Sequence, residues 1–467
     1  MSEAPDLTIS QQLAHWAGEL TWDDVPLDVL HETKLRVLDI TGAMLGGLDT
    51  ELVAQLARAT FVDDNGVGTP VLGYAQTTGA PAAALLQATM GCVLEFDDSH
   101  VATGLHASTP MVAAAMARGR QSGTSGRSMI LAVLIGNEIT CRLGLAAPGM
   151  FHRVGFHPTA VLSTFGAGYA MAKMDGLDER QTANAAGICA SFASGVMASW
   201  EDGTSAKSLH AGWCAASAMQ AVRMAQSGVT GPATAFEGRF GFFRSHVQAA
   251  DYPFNYGAVR DELGKRWEVM TIAPRAYPCG HYIQPFLDAA LGIVGQHHPD
   301  PAAIERVECR VADYMVPLIC EPALEKISPT TSWHGRYSLA FCVAECLLNG
   351  RFDKYSLAPD RLADPRYTTL TRRTGYSVDP TATDRTQWSG EVLVTMRDGA
   401  VLRHRIEHMH GTPQNPITQD ELIEKFLHNA QGVLDDAAAH AAIDRILDLD
   451  RATDIREVFA PLSGLRR

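Results

Sequence analysis

The fold is decided by a stretch that reads Gly155-Phe156-His157-Pro158-Thr159-Ala160 at its start and Lys207-Ser208-Leu209-His210-Ala211-Gly212-Trp213 at its end. Proline suits a first helical position, where its missing N–H costs nothing, so the sequence predicts that His157 lies at a helix N-terminus. The N–H groups at such an end point outward and favour anions. Lys207 and His210 are three residues apart and, on a helix, share one face.

Between these two ends the chain is built from small and apolar residues. The segment 161–174 combines Gly166-Ala167-Gly168 with Leu162 and Phe165, and the segment 181–197 has the same character. Small residues let helices approach closely, so both segments predict buried central helices. Basic side chains on such a scaffold indicate a polar pocket that attracts anions.

Length and composition describe a globular protein with a large core. The 467 residues are enough for two domains, and 46% apolar with 19% charged residues excludes wholesale disorder. The net charge of −14 argues against nucleic acid or an anionic membrane as a general partner. A small anionic substrate stays compatible with it, because local His, Lys and Arg residues set the field inside a pocket.

The sequence predicts a cytoplasmic protein. Met1–Asp6 lacks the basic region and apolar run of a signal peptide, and we find no uninterrupted apolar stretch of about 18 residues that predicts a membrane span. The nine cysteines are scattered, odd in number and without a C-x-x-C pair. That pattern indicates reduced thiols rather than a disulfide framework or a zinc site.

Hydrophobic periodicity separates a large helical part from a smaller mixed part. Helical patterns broken by Gly and Pro turns, such as the loop Gly66-Val67-Gly68-Thr69-Pro70, continue to about residue 265. Val307, Cys309 and Val311 then alternate with charged residues, as in a half-buried strand. The segment 392–406 indicates a β-hairpin with a turn at residues 397–400.

The chain therefore divides into three predicted segments. Residues 1–266 form an all-helical domain, residues 267–410 form a smaller α/β domain, and residues 411–467 form a helical segment that packs back on the first domain. In that last segment Thr418 and Glu421 stand at the spacing of a capping box. The predicted fold class is mainly α.

An acidic run, Glu95-Phe96-Asp97-Asp98-Ser99-His100, precedes His106 by a short loop. Carboxylates beside imidazoles orient the rings and tune their pKa values, which is useful for proton transfer. Two other interpretations stay open. The run is also compatible with a solvated loop, and its Asp and His side chains with a divalent metal, although the spacing specifies no ion.

Taken together, these motifs resemble the MmgE/PrpD family, which includes 2-methylcitrate dehydratase, cis-aconitate decarboxylase and iminodisuccinate epimerase. The resemblance covers nearly the whole chain and depends on the order and spacing of several short motifs. They are Glu95-Phe96-Asp97-Asp98-Ser99 with His106, Gly155-Phe156-His157-Pro158-Thr159, Lys207-x-Leu209-His210-x-Gly212, Tyr277-Pro278-Cys279, Tyr337-Ser338-Leu339 and Pro413-x-Asn415-Pro416.

The resemblance implies a large all-helical domain plus a smaller α/β lid domain, a homodimer, and an enzyme that needs neither a metal nor an organic cofactor. It also implies the site. The expected catalytic residues are His106, His157, Lys207 and Asp97. The expected substrate-binding residues are Glu95, Asp98, Ser99, His210, Arg275 and His281.

The chain departs from the family pattern at two positions. Ala107 stands where family members often have proline, and Arg275 stands where many have lysine before the Tyr-Pro element. Arginine stays charged and grips carboxylates with a fork of N–H groups, but it cannot shuttle a proton. We therefore expect Arg275 to bind a substrate carboxylate.

Histidines beside Lys and Arg suit proton transfer next to a carboxylate, because the cations stabilise the developing enolate while an imidazole moves the proton. Dehydration of a 2-methylcitrate-like hydroxy acid is the first prediction, with cis-aconitate-type decarboxylation close behind. An epimerase of an iminodisuccinate-like diacid and a binding protein without turnover are the alternatives. The Gly166-Ala167-Gly168 sequence resembles part of a dinucleotide fingerprint, but close helix packing explains it better because no strand precedes it.

Overall fold

The computed structural model describes residues 7–62, 68–249, 251–384 and 388–466, without the side chains of residues 201 and 202. The expectations for Met1–Asp6 and for Gly66-Val67 lie outside these residues. The molecule is mainly α-helical with small sheets, as the sequence predicts.

The chain forms two compact units. The first contains Met1–Val93, Asp97–Ile272 and Thr418–Arg467, and the second contains Leu94–Phe96 and Ala273–Ile417. The boundaries predicted after residues 266 and 410 fall a few residues before those that the structure gives. The sequence did not indicate that a tripeptide from the helical part belongs to the second unit.

The first unit is a bundle of helices with a few two-residue strands. Its strands, numbered along the chain, are β1 (Thr69–Pro70), β2 (Thr77–Thr78), β3 (Ser99–His100) and β4 (Ile272–Ala273), the last of which ends one residue beyond the unit. Its helices before the second unit are α1 (Ile9–Glu19), α2 (Leu27–Gly47), α3 (Glu51–Thr60), α4 (Ala80–Cys92), α5 (Ser108–Ser122), α6 (Gly126–Leu145), α7 (Met150–Arg153), α8 (Pro158–Met174), α9 (Glu179–Phe192), α10 (Ser199–Asp202), α11 (His210–Gln226), α12 (Phe242–Val247) and α13 (Tyr256–Arg260).

Close packing of α6 on α8 forms the centre of this bundle. A Cβ on Gly166 would lie 2.0 Å from Thr140 Oγ1 and 2.4 Å from the Gly136 carbonyl oxygen, so only glycine allows this approach. The Gly166-Ala167-Gly168 sequence therefore lies inside a buried helix and serves packing. The interpretation as helix packing rather than as a dinucleotide loop agrees with this geometry.

Helix α9 ends earlier than the sequence predicts. It stops at Phe192, and the chain continues without helix through the Gly195 region, although 181–197 reads as one helical segment. Gly195 has φ +144°, and a Cβ added to it would lie 2.4 Å from the Ala160 Cβ. A helical residue cannot adopt the positive φ of Gly195, a conformation that favours glycine, and so cannot bring the backbone this close to Ala160. The helix therefore ends before Gly195.

Helix α6 is the one helix, among the described residues, that is long and apolar enough to cross a membrane. The sequence contains no uninterrupted apolar stretch at this helix, because Asn137, Glu138 and Arg142 interrupt the apolar run. In the structure 89% of its most apolar window is buried inside the protein. Such burial is typical of a helix in the core of a protein.

The second unit combines helices with a four-stranded sheet. Its helices are α14 (Gln284–His297), α15 (Val316–Ile319), α16 (Ala323–Ile327), α17 (Ser332–Arg336), α18 (Leu339–Asn349), α19 (Pro359–Leu362) and α20 (Pro365–Thr371). Its strands are β5 (Ile304–Val311), β6 (Thr374–Val378), β7 (Gly390–Met396) and β8 (Val401–Ile406), in the order β6-β5-β7-β8. Strands β5 and β6 are parallel, and the other neighbours are antiparallel.

The strand and the hairpin predicted in this unit are confirmed. Val307, Cys309 and Val311 are fully buried on one face of β5. Strands β7 and β8 pair as the predicted hairpin, with Thr395 opposite Val401.

The chain then returns to the first unit with α21 (Gln419–Ala430), α22 (Asp436–Leu447) and α23 (Ile455–Phe459). The capping box of Thr418 and Glu421 is present at the start of α21. Phe426 packs on Gly42 of α2, and Lys425 pairs with Asp39 at 2.7 Å. These contacts join the C-terminal helices to the first unit.

Candidate active site

Three imidazoles meet at the starts of helices in the first unit. The ring of His157 lies 5.7 Å from that of His106 and 5.3 Å from that of His210, measured between centroids. His157 is the N-cap of α8 with Pro158 as the next residue, as predicted, and His210 is the first residue of α11. His106 lies two residues before α5. The structure thus brings together three side chains that are far apart in sequence.

His106 is fixed in one orientation by the acidic segment before it. Its Nδ1 lies 2.9 Å from the carbonyl oxygen of Asp98 and 2.8 Å from Ser99 Oγ. A carbonyl oxygen only accepts, so Nδ1 carries the proton and donates it. In the neutral ring Nε2 is then the unprotonated nitrogen, which makes it the atom that takes up a proton.

His157 and His210 contact each other directly. Their Nδ1 atoms are 3.2 Å apart, and because a hydrogen bond needs one donor, only one of these two atoms carries a proton. The backbone of His157 donates to the Gly195 carbonyl oxygen at 2.9 Å, and a Cβ on Gly195 would lie 3.4 Å from the His210 ring. The early end of α9 therefore places Gly195 against both histidines.

The electrostatic environment keeps these rings neutral. Burial, followed by the positive charge of Lys207 and the neighbouring imidazoles, lowers the pKa of His157 well below its usual range. Burial and then Lys207 lower the pKa of His210 to about 4. At neutral pH both rings are uncharged bases next to a cation.

Lys207 is buried in the first unit and lies in a short 3₁₀ turn, Ser205–Leu209, directly before α11. The predicted spacing on one α-helix is therefore replaced by a turn followed by a helix start. Lys207 still shares its electrostatic environment with His152, His157 and His210, since its charge lowers the pKa of each.

The acidic residues of this segment are buried rather than solvated. Asp97 accepts a hydrogen bond from Thr109 Oγ1 at 3.2 Å, and the Asp98 carboxylate accepts from the Ser108 N–H at 3.2 Å. Burial raises the pKa of Asp98 to about 6. Asp98 thus orients His106 through its carbonyl oxygen, and its carboxylate fixes the start of α5.

The sequence did not single out His152 and Thr159, which border the same cluster. The His152 ring lies 6.5 Å from that of His157 and stacks on Trp200 at 6.1 Å. Burial, then His106 and Lys207, lower the pKa of His152 to about 4. Thr159 Oγ1 accepts from the His106 N–H at 2.9 Å. The signal available in the sequence was the spacing of five residues between His152 and His157, with Gly155 between them. In the structure Gly155 has φ +87°.

A second polar network supports the segment that holds His106. His100 Nε2 lies 3.3 Å from Glu268 Oε2, and the Glu268 N–H donates to Glu138 Oε2 at 2.7 Å. Glu138 also pairs with Arg142, whose guanidinium donates to the backbone carbonyls of residues 258, 261, 262 and 266. His100 is therefore part of a buried polar network.

The remaining predicted residues belong to the second unit. Arg275 Nη2 lies 3.2 Å from Glu95 Oε2, and each side chain is only 2% exposed. Glu95 adopts φ +52°, which is unusual for a residue other than glycine. His281 packs edge-on against Trp388 at 4.6 Å. In this structure Arg275 is paired with an acidic side chain of its own unit.

The structure places one possible metal-binding group elsewhere. Among the described residues, the only three His, Cys, Asp or Glu side chains with ligand atoms within 4.8 Å of one another are the exposed His15, Glu19 and Glu179. Asp97, Asp98, His100 and His106 do not form such a group in the described part of the chain. All nine cysteines are free and buried, without a disulfide.

The arrangement in the first unit combines an oriented imidazole, two further neutral imidazoles and a buried ammonium. An ammonium in a water-poor site attracts carboxylates and stabilises negative charge that develops on them. A carboxylate that enters raises the pKa of neighbouring imidazoles towards values suited to proton transfer at neutral pH. The site can therefore bind an anion and move a proton to or from a carbon next to a carboxylate.

Comparisons with known proteins agree with this geometry. The models of the MmgE/PrpD N-terminal domain and C-terminal domain match residues 11–255 and 277–449. The chain is 26% identical to the cis-aconitate decarboxylase-like protein oryM of Aspergillus oryzae over 98% of both chains. It is 24% identical to the cis-aconitate decarboxylase of Aspergillus terreus, over 97% of this chain and 96% of that one, and 24% identical to the human enzyme, over 93% and 90%. These matches support a lyase-like function.

Proposed function

Because the chain belongs to the MmgE/PrpD family, we propose that it is a lyase that releases carbon dioxide from a small di- or tricarboxylate without a cofactor. The observation that carries this proposal is the cluster formed by the buried His106 and His157 with the half-buried His210, within the field of Lys207. Two of these relatives are named cis-aconitate decarboxylase and the Aspergillus oryzae protein is named cis-aconitate decarboxylase-like. These names support decarboxylation over dehydration, which is the first prediction from the sequence.

The chemistry follows from where charge develops. When a β,γ-unsaturated carboxylate loses carbon dioxide, the electrons of the broken C–C bond enter an allylic carbanion. A neighbouring carboxylate delocalises this charge as an enolate, which Lys207 stabilises. An imidazolium of the cluster, at His106 or His157, then donates its proton to carbon and returns to the neutral form. Asp97 stays a proposed catalytic residue. It belongs to the acidic segment whose next two residues, Asp98 and Ser99, contact His106.

Substrate binding is proposed for the other predicted residues. Asp98 and Ser99 orient His106, and His210 shares a hydrogen bond with His157, which supports a role for these three at the site. Glu95, Arg275 and His281 stay proposed substrate-binding residues.

A panel of di- and tricarboxylates followed by NMR in deuterated buffer tests the proposal. A decarboxylase releases carbon dioxide and incorporates one deuteron at the carbon next to the remaining carboxylate. A dehydratase instead produces an alkene with all carbons retained, and an epimerase exchanges deuterium without a change in composition. A protein that binds members of the panel and converts none contradicts the proposal.

The same experiment with EDTA tests the proposal that no metal is needed. Turnover is expected to survive chelation. Loss of turnover that a divalent cation restores would contradict the cofactor-free proposal.

We also propose a cytoplasmic homodimer, on the resemblance to the family, and sedimentation analysis of the purified protein tests its oligomeric state.

A further inference from the structure

A cavity of about 310 Å³ lies within the second unit, in a region that the proposed function does not use. It lies beside β6, one of the two edge strands of the sheet, and is bordered by α15, α16 and α18. Its walls are mostly aliphatic and include Ile319, Ala323, Ile327, Leu339 and Ala340. This volume is at the lower end of the range of about 300–1,000 Å³ that small-molecule sites occupy.

Lys326 brings a single positive charge to these apolar walls. Its ammonium donates to the Leu318 carbonyl oxygen at 2.9 Å, which leaves two of its three N–H donors for another partner. No ion pair joins it to a carboxylate among the residues that the structure describes. Burial lowers its pKa, and Glu325, which lies beyond ion-pair distance, opposes this shift without supplying a direct counter-ion.

The neighbouring thiol does not supply that counter-ion. Cys320 also lines the cavity, and burial raises the pKa of its thiol to about 12, so the sulfur stays uncharged at neutral pH. The cavity therefore offers aliphatic walls and one cation with unused donors. The complementary ligand has one negative charge and an aliphatic body.

We propose that this cavity is a binding site for an aliphatic monocarboxylate. The carboxylate accepts hydrogen bonds from Lys326 Nζ, and the hydrocarbon chain lies against Ile319, Ile327 and Leu339. A di- or tricarboxylate does not fit this chemistry, because its further charges would lie unpaired against apolar walls. The site is thus distinguished from the candidate active site by the charge of its ligand.

Calorimetric titration of the full-length protein with butyrate, hexanoate and octanoate tests the proposal. We expect one hexanoate per chain in the wild type and at least tenfold weaker binding in Lys326→Met, which keeps the length of the side chain and removes its charge. Hexanol, which lacks the charge, is expected to bind at least tenfold more weakly than hexanoate. The matched control is Lys354→Met, since Lys354 is also a partly buried lysine of the second unit but does not line the cavity.

The position of the probe is checked through the isoleucine methyl signals of Ile319 and Ile327, assigned with Ile→Val variants. Hexanoate is expected to shift both signals, and tricarballylate is expected neither to shift them nor to compete. Equal hexanoate affinity in the wild type and Lys326→Met, or competition by tricarballylate, would overturn the proposal. Binding of a leucine-terminated peptide without binding of hexanoate would also overturn it, because the ligand would then be a strand beside β6. None of these results depends on the catalytic activity.

Discussion

The proton chemistry of the candidate site depends on single atoms. The Asp98 carbonyl oxygen fixes the proton of His106 on Nδ1, and the short contact between His157 and His210 leaves one proton for two Nδ1 atoms. Each arrangement selects which nitrogen exchanges a proton with a ligand. A substitution that preserves one ring nitrogen of a histidine and removes the other can therefore separate the orientation of the side chain from its role in proton transfer.

His106→Asn is the first such test. The Asn amide nitrogen takes the place of Nδ1 and keeps the bond to the Asp98 carbonyl, but the Nε2 position is lost. We expect kcat to fall by about 10²–10⁴-fold, the usual contribution of a general acid or base, with little change in thermal stability. Ser99→Ala, which removes only the second contact of Nδ1, serves as control and should cost much less. A wild-type kcat in His106→Asn would remove this residue from the mechanism.

Lys207→Met should raise the pKa of His210. The charge of Lys207 is the second cause, after burial, that lowers this pKa to about 4, so its removal moves the pKa back towards 6.5 without reaching it. Long-range ¹H–¹⁵N spectra of the imidazole as a function of pH measure this shift in the absence of substrate. Lys173→Met, which changes a partly exposed lysine of α8, should leave the titration unchanged. An unaltered titration in Lys207→Met would show that Lys207 does not act on the cluster.

Binding of a polycarboxylate should take up protons. At pH 6 the free His210 ring is neutral, because its pKa is about 4. A bound anion raises the pKa of the histidines, so protons enter with the ligand and affinity increases as the pH falls. Calorimetry at pH 6 in two buffers with different ionisation enthalpies measures the number taken up. Release of protons on binding would contradict this electrostatic account.

The sequence indicated which side chains lie together better than it indicated their contacts. Short motifs with unusual residue types mark His106, His157, Lys207 and His210, and the structure brings these four side chains together, while their roles stay a prediction. His152 was missed because its one signal, the spacing from His157 across Gly155, does not by itself show that the chain folds back on the cluster. The pairing of Arg275 with Glu95 was also missed, because sequence order gives no information on which buried charges neutralise each other.

At the level of helices, the small residues determine how closely α6 and α8 approach. Gly166→Ala should lower the free energy of unfolding by about 1–3 kcal/mol, since the new methyl group would overlap Thr140 and the Gly136 carbonyl. The control is Gly18→Ala in α1, where no atom lies within 4 Å of the added Cβ. That change should be neutral or should stabilise the protein by up to about 1 kcal/mol. Denaturant unfolding measures both, and equal effects would contradict the packing argument.

Helix type was predictable from periodicity and helix ends were predictable only where a capping signal exists. Thr418 and Glu421 marked the start of α21, and Pro158 marked that of α8. Gly195 follows Phe192 by three residues, but apolar residues continue to Met197, so the local sequence does not mark where α9 ends. That end is set by the approach of Gly195 to Ala160, a contact between segments that local sequence does not contain.

For the whole molecule, the ion pair of Glu95 and Arg275 joins the tripeptide Leu94–Phe96 to the rest of the second unit. Glu95→Gln removes the carboxylate that lies 3.2 Å from the buried Arg275 guanidinium and should lower stability by up to about 3–5 kcal/mol. The double variant Glu95→Gln/Arg275→Met also removes the guanidinium charge and should recover part of that loss. Arg366→Met, which breaks an exposed pair with Asp364, is the control and should change little. A double variant no more stable than Glu95→Gln would contradict the pairing.

The tripeptide Leu94–Phe96 also constrains how this gene can recombine. The second unit takes its residues from two places in the chain, and the C-terminal family model, residues 277–449, includes residues of both units. A single crossover between two related genes therefore cannot exchange one complete unit for another. A chimera made at residue 273 would combine Arg275 from one parent with Glu95 from the other. Inheritance of these two positions together is thus favoured, and exchange of the second unit by protein engineering requires a separate graft of residues 94–96.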